Sequence, residues 1–152
     1  MKPSDEYLKT LLRYYEEEVS GEYYFRGLAA YFDEKEKLIL LAMVERRAAE
    51  SVCSLIKKYR LTPKSNQQLK QEGQGHVLLH ESYTWSEFIE YIIKRYPGYL
   101  NDFANLKAMA PKDDWPQLDV LTQHEVAAIE FAQKEHANDP ESIQPLLTYL
   151  QQ

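Results

Sequence analysis

Apolar positions recur along the chain at intervals of three and four residues, the spacing of one helical face. Between Asp5 and Phe32 the stripe reads Leu8, Leu12, Tyr15, Val19, Glu22, Ala29 and Phe32. Ser4, with Asp5 and Glu6 behind it, has the chemistry of a helix start. Asp33 and Glu36 have the spacing of a capping box for a second helix, expected to run to about Arg60. Its stripe is Leu38, Leu41, Glu45, Ala48, Val52, Leu55 and Tyr59. Leu61-Thr62-Pro63 ends it, and a short helix is predicted around residues 65 to 79. Thr84-Trp85-Ser86-Glu87 is a second capping box, opening a helix that should bury Trp85, Phe88, Ile92, Tyr96, Tyr99, Phe103 and Leu106. Pro97 lacks an amide donor and must kink or split that helix near Tyr96. A fourth long helix, from about Pro116 to Ala137, carries Leu118, Leu121, Glu125, Ala128 and Ala132. Asp139-Pro140 predicts the cap of a final short helix to about Leu150.

No strand-like alternation interrupts this pattern. It predicts an all-α fold, a single domain over residues 1–152, built as an up-down four-helix bundle with short additional helices. The short break after Phe32 makes the first two helices antiparallel neighbours. Leu38 to Val44 is apolar all round, so it is either central or covered by another subunit. Together with the aromatics of the third helix, it raises the expectation of a homodimer.

Composition narrows the function classes. At 152 residues the chain can bury a sizeable core without staples. A formal net charge of −6 argues against a nucleic-acid partner held by electrostatics. Cys53 is the one cysteine, which excludes an intrachain disulfide. Met1 to Glu6 lacks the apolar core of a signal peptide, and the longest apolar run is far too short to span a bilayer. The expectation is a cytoplasmic protein without a membrane partner. Gly21, in mid-helix, costs about 1 kcal/mol against alanine, which suits a place where a neighbour must approach the backbone.

Three carboxylates, Glu22, Glu45 and Glu125, fall on apolar stripes in the first, second and fourth long helices. A buried ionised carboxylate is costly unless it is paired, hydrogen-bonded or bound to a metal. The segments around them, Gly21-Glu22-Tyr23-Tyr24-Phe25, Leu40 to Ala48 and His124 to Ala132, resemble the ferritin-like superfamily, the rubrerythrin and bacterioferritin kind of four-helix bundle. The resemblance implies a dimetal site with one Glu from each of two helices and a Glu-x-x-His pair from each of the others. Glu22, Glu45 and Glu125 match three of the four glutamates. The histidine positions hold Ala48 and Ala128, and in the third helix Glu87 and Glu90 lie to one side of an aromatic stripe. The expectation is a bundle with a reduced or lost dimetal carboxylate site, a small-molecule-binding or structural protein with no cofactor. The alternative is an iron or manganese oxidoreductase using Glu22, Glu45 and Glu125, with Glu18, Glu90 or His124 assisting.

His124 lies about 100° around the helix from Glu125, a poor position for replacing a histidine at 128. Arg26, Arg46 and Arg47 are the candidate partners for neutralising the glutamates without metal, each offering five donors in a fixed fork. His76 and His80 have i, i+4 spacing, and His136 suits a helix end. No phosphate loop, zinc-ribbon spacing or nucleophile elbow is present, so neither the ligand nor any reaction can be named from motifs.

Overall fold

The structure, a computed structural model, describes residues 2–152. Its helices are α1 (Asp5–Leu28), α2 (Lys35–Lys58), α3 (Asn66–Val77), α4 (Trp85–Arg95), α5 (Pro97–Met109), α6 (Trp115–His136) and α7 (Gln144–Leu150). A 3-10 turn, Lys112–Asp114, leads into α6, and no strand occurs among the described residues. None of these helices is long and apolar enough to cross a membrane.

The capping signals divide into those that formed and those that did not. Ser4 accepts from the Tyr7 amide at 3.1 Å and starts α1. Thr84 and Glu87 close their capping box, with both reciprocal bonds made. The box expected from Asp33 and Glu36 is absent: α1 ends at Leu28, and Glu34 precedes α2 without a side-chain cap. Asp139 accepts from the Glu141 amide, but Pro140 lies in a turn and α7 begins only at Gln144, with Pro145 in its first turn. Pro97 splits the third long helix at Tyr96, as its chemistry requires.

Packing follows a circuit in which α1 meets α2, α2 meets α6, α6 meets α4 and α5, and α5 returns to α1. Tyr7 stacks edge-on against Tyr59, and Gly21 lies beside Glu45, so α1 and α2 are antiparallel. Trp85 reaches Glu135 and Lys107 reaches Asp119, so α4–α5 runs against α6. Strict up-down alternation is not kept. The helix α3 carries the chain back along α1, from Lys64 beside Glu16 to Val77 beside Gly27, so that α2 and α4–α5 run the same way. At Gly73 a β-carbon would collide with the Ser20 backbone carbonyl, which lets α3 lie directly on α1.

Two carboxylate clasps tie the ends of the circuit. At one, Asp114 is fully buried and accepts from Tyr7 Oη (2.7 Å), Tyr59 Oη (2.5 Å) and Lys58 Nζ (2.6 Å), joining α1, α2 and the start of α6. At the other, Glu135 accepts from Trp85 Nε1 (3.0 Å) and Lys37 Nζ (2.5 Å), joining α6, α4 and α2. Leu38, Leu41, Ala42 and Val44 are buried by the chain itself, with α7 lying across α2, and only Met43 of that segment is exposed.

The apolar interior comes in two halves. One gathers Phe25, Leu28, Leu38, Phe88, Ile92 and Phe131; the other gathers Tyr7, Leu11, Val52, Phe103, Leu106 and Leu118. Between them, at mid-height, lies a polar layer.

Candidate metal centre

The layer is supplied by one turn from each of three helices. On α1, Glu18 falls between Tyr14 of one apolar half and Phe25 of the other, and is 6% exposed. On α2, Glu45 projects at the level of Gly21, whose missing β-carbon leaves room for it: a β-carbon there would stand 2.9 Å from Glu45 Oε1. On α6, His124 is 1% exposed and Glu125 4% exposed. The approach of a neighbour at Gly21 is therefore made by Glu45.

His124 is the hub. Its Nε2 lies 2.8 Å from Glu18 Oε2, 3.0 Å from Glu45 Oε2 and 3.4 Å from Glu125 Oε2. Its Nδ1 donates to the Leu121 carbonyl one turn earlier, which fixes the ring orientation. A bare Nε2 lone pair facing three ionised carboxylates would be repulsive, so a proton, on Nε2 or on a facing carboxyl, or a metal ion must lie between them. Burial disfavours the imidazolium, yet Glu18, Glu125 and Glu45 outweigh it and raise the His124 pKa well above the ordinary histidine value. Burial, with Glu18 next, pushes Glu45 well up, and burial lifts Glu125 to about 8 against the pull of His124.

The cluster also has the donor set and compactness to hold a cation. Glu18 Oε2, Glu45 Oε2 and His124 Nε2 are buried, and none makes an aligned hydrogen bond. One ligand atom from each of these residues lies within 4.8 Å of the others, a compactness suited to one ion. A second ion finds no comparable set among the described residues. Ala48 and Ala128 are packed into the apolar halves, and α5 presents Phe103 to the His124 ring at 5.9 Å between centroids.

Of the residues expected at the site, Glu45, Glu125 and His124 are brought together. Glu22 is not among them: it lies in a cleft between α1 and α2, away from the cluster, and accepts from Arg26 Nε at 2.8 Å. Glu18 stands where Glu22 was expected. The arginines do not neutralise the buried cluster. Arg26 serves Glu22, Arg46 pairs with Glu50 at 3.0 Å, and Arg47 lies over the Tyr149 ring. Glu87 is spent on its cap, and Glu90 is exposed.

No family model, curated protein or solved structure matches the chain.

A pocket of about 300 Å3 opens beside the centre, with Glu18, Glu45 and Glu125 in its wall. His76 and His80 both reach it, though they do not share one helix: α3 ends at Val77 and His80 lies in the turn beyond. Tyr24 Oη stands 2.6 Å from His80 Nδ1. Burial, with His76 second, lowers the His80 pKa and so favours the neutral ring. Spacing alone gives this histidine no role; its place is set by Gly73, which fixes how α3 lies on α1.

Proposed function

We propose that the chain is a ferritin-like bundle whose carboxylate site is reduced to one metal position, holding a divalent ion and a small molecule in the adjoining pocket. The observation that carries this reading is the convergence of Glu18 Oε2, Glu45 Oε2 and His124 Nε2, buried and without aligned hydrogen bonds. Two antiparallel helix pairs joined by one long crossover is the connectivity of ferritin-like bundles, which supports the ancestry. Two carboxylates and one imidazole suit a first-row divalent ion such as iron or manganese. Such an ion supplies Lewis-acid or redox chemistry when bound. The chain's own part is to fix three ligands on three helices, keep Glu125 beside them as a proton-holding group, and exclude bulk water with the two apolar halves.

A second reading has its own observation, the 2.8 to 3.4 Å spacing of Nε2 from three carboxylates. There the imidazolium is the permanent cation, and the protein binds a small molecule without metal. Titration of chelator-treated protein with Mn2+ or Fe2+ under anaerobic conditions separates the two. The metal reading expects one equivalent bound, with affinity reduced about a hundredfold in Glu18→Gln and in Glu45→Gln. Glu22→Gln should bind as the parent does. No saturable uptake, or uptake unaffected by Glu18→Gln, leaves the imidazolium reading in its place.

A further inference from the structure

The pocket beside the centre has a chemical character of its own. Tyr24, Tyr91, Tyr96 and Tyr99 present rings and hydroxyls to it, and Glu17, Glu18, Glu45 and Glu125 bring carboxylates. Its one permanent cation is Arg95, whose guanidinium sits 4.7 Å from the centroid of the Tyr99 ring and has no carboxylate oxygen within 4.0 Å among the described residues. Glu17, toward the mouth, has only a loose 3.6 Å approach from Arg13. On the floor Glu18, nine-tenths buried, carries an oxygen with no hydrogen-bond partner.

A concave site whose walls are aromatic faces and whose polar groups are mostly carboxylates attracts cations twice over. Ring quadrupoles favour positive charge at their faces, and desolvation strengthens the effect. Arg95 on Tyr99 shows the wall already accepting a cation from within the chain. A metal held by Glu18, Glu45 and His124 would leave Glu17 and Glu125 still facing the pocket.

We propose that this pocket binds a small aliphatic ammonium ion, its charged nitrogen beside Glu17 and the Tyr96 and Tyr99 rings, with the Glu125 carboxyl as a further oxygen acceptor, and its alkyl stem against Tyr91 and Leu79. Arg95 competes with the ligand for the Tyr99 face and for the field of the same carboxylates. The site is defined by the pocket walls and stands whether or not a metal occupies the neighbouring centre.

The sign of the Arg95 effect decides the matter. Full-length protein is titrated calorimetrically with n-butylammonium and, separately, with butyrate, once after chelation and once with Mn2+ present. Expected are saturable 1:1 binding of butylammonium, none of butyrate, tightening of about fivefold in Arg95→Ala, and weakening of similar size in Glu17→Gln. Both variants alter exposed or mouth positions, and a thermal melt checks that they fold. Butyrate binding that is lost in Arg95→Ala would make the pocket an anion site and overturn the proposal, as would no binding of either probe. Failure of amine binding with manganese uptake intact removes this proposal alone; amine binding without manganese uptake removes only the metal reading.

Discussion

Replacing His124 by leucine should lower the unfolding free energy by about 3–5 kcal/mol at neutral pH, the cost of leaving buried carboxylates without their cation. The loss should depend on pH in a defined direction. Glu125, and Glu45 with it, is raised above its unfolded value. A raised carboxyl favours the fold below the unfolded pKa, near 4, and that contribution drains away as pH climbs to the folded value, about 8 for Glu125. Those carboxyls are raised by burial in parent and variant alike, so most of that drain cancels in the comparison. The parent's imidazolium is fully stabilising below about 6.5 and its contribution is lost as pH rises through its raised pKa, so the deficit of His124→Leu should be largest at pH 5 and smaller at pH 9. Urea denaturation at pH 5, 7 and 9 measures this, and a deficit equal at all three would remove His124 as the hub. Adding Glu18→Gln and Glu45→Gln to His124→Leu should restore most of the stability, because a neutral buried set no longer needs a cation.

Asp114→Ala should cost about 3 kcal/mol, or roughly 10 °C in Tm for a chain of this size. It strands the Tyr7 hydroxyl in the interior and releases Tyr59 and Lys58. Burial alone would raise the Asp114 pKa, but the bonds from Lys58, Tyr59 and Tyr7 overcome it and hold the carboxyl below its usual value. A depressed carboxylate stabilises the fold above the unfolded pKa, and the contribution is lost as pH falls through the folded one. The parent and Asp114→Ala should thus differ fully at pH 5 and above, and converge in strong acid. Thermal melts between pH 2 and 6 check this; a difference independent of pH would mean that the clasp acts through packing instead of charge.

Most of the helices can be read from capping chemistry and periodicity, because Ser4, Thr84 with Glu87, and Pro97 each act locally. Asp33 cannot, since the chain leaving α1 makes a wider turn and Glu34 becomes the boundary residue. The preference for Glu22 over Glu18 fails for a different reason. Helix α1 has two neighbouring apolar stripes, Tyr7-Leu11-Tyr14 and Leu8-Leu12-Tyr15; the first is buried and the second only half-buried. Periodicity cannot rank two such stripes. Gly21 can: a glycine that admits a neighbour shares its helix face with residues three before and four after, which are Glu18 and Phe25, not the adjacent Glu22. The offset of about 100° between His124 and Glu125 argues against a shared site on a helix with one inward face. Helix α6, however, packs against α2, α4, α5 and α7. A helix with so many neighbours is buried over most of its circumference, so both residues face inward.

The crossover helix α3 is held differently from the rest. Its principal neighbour is α1, while every other long helix is held by at least two partners or by an end clasp. Its inward side is little more than Leu69, Gly73 and Val77. An element attached along one line, with few buried apolar side chains, opens at a lower free energy than the whole fold, although it takes Val77 out of one apolar half. His76, Leu79 and His80 would leave with it, and they form one side of the pocket. A local opening of α3 would therefore uncover the pocket beside the buried centre without unfolding the bundle.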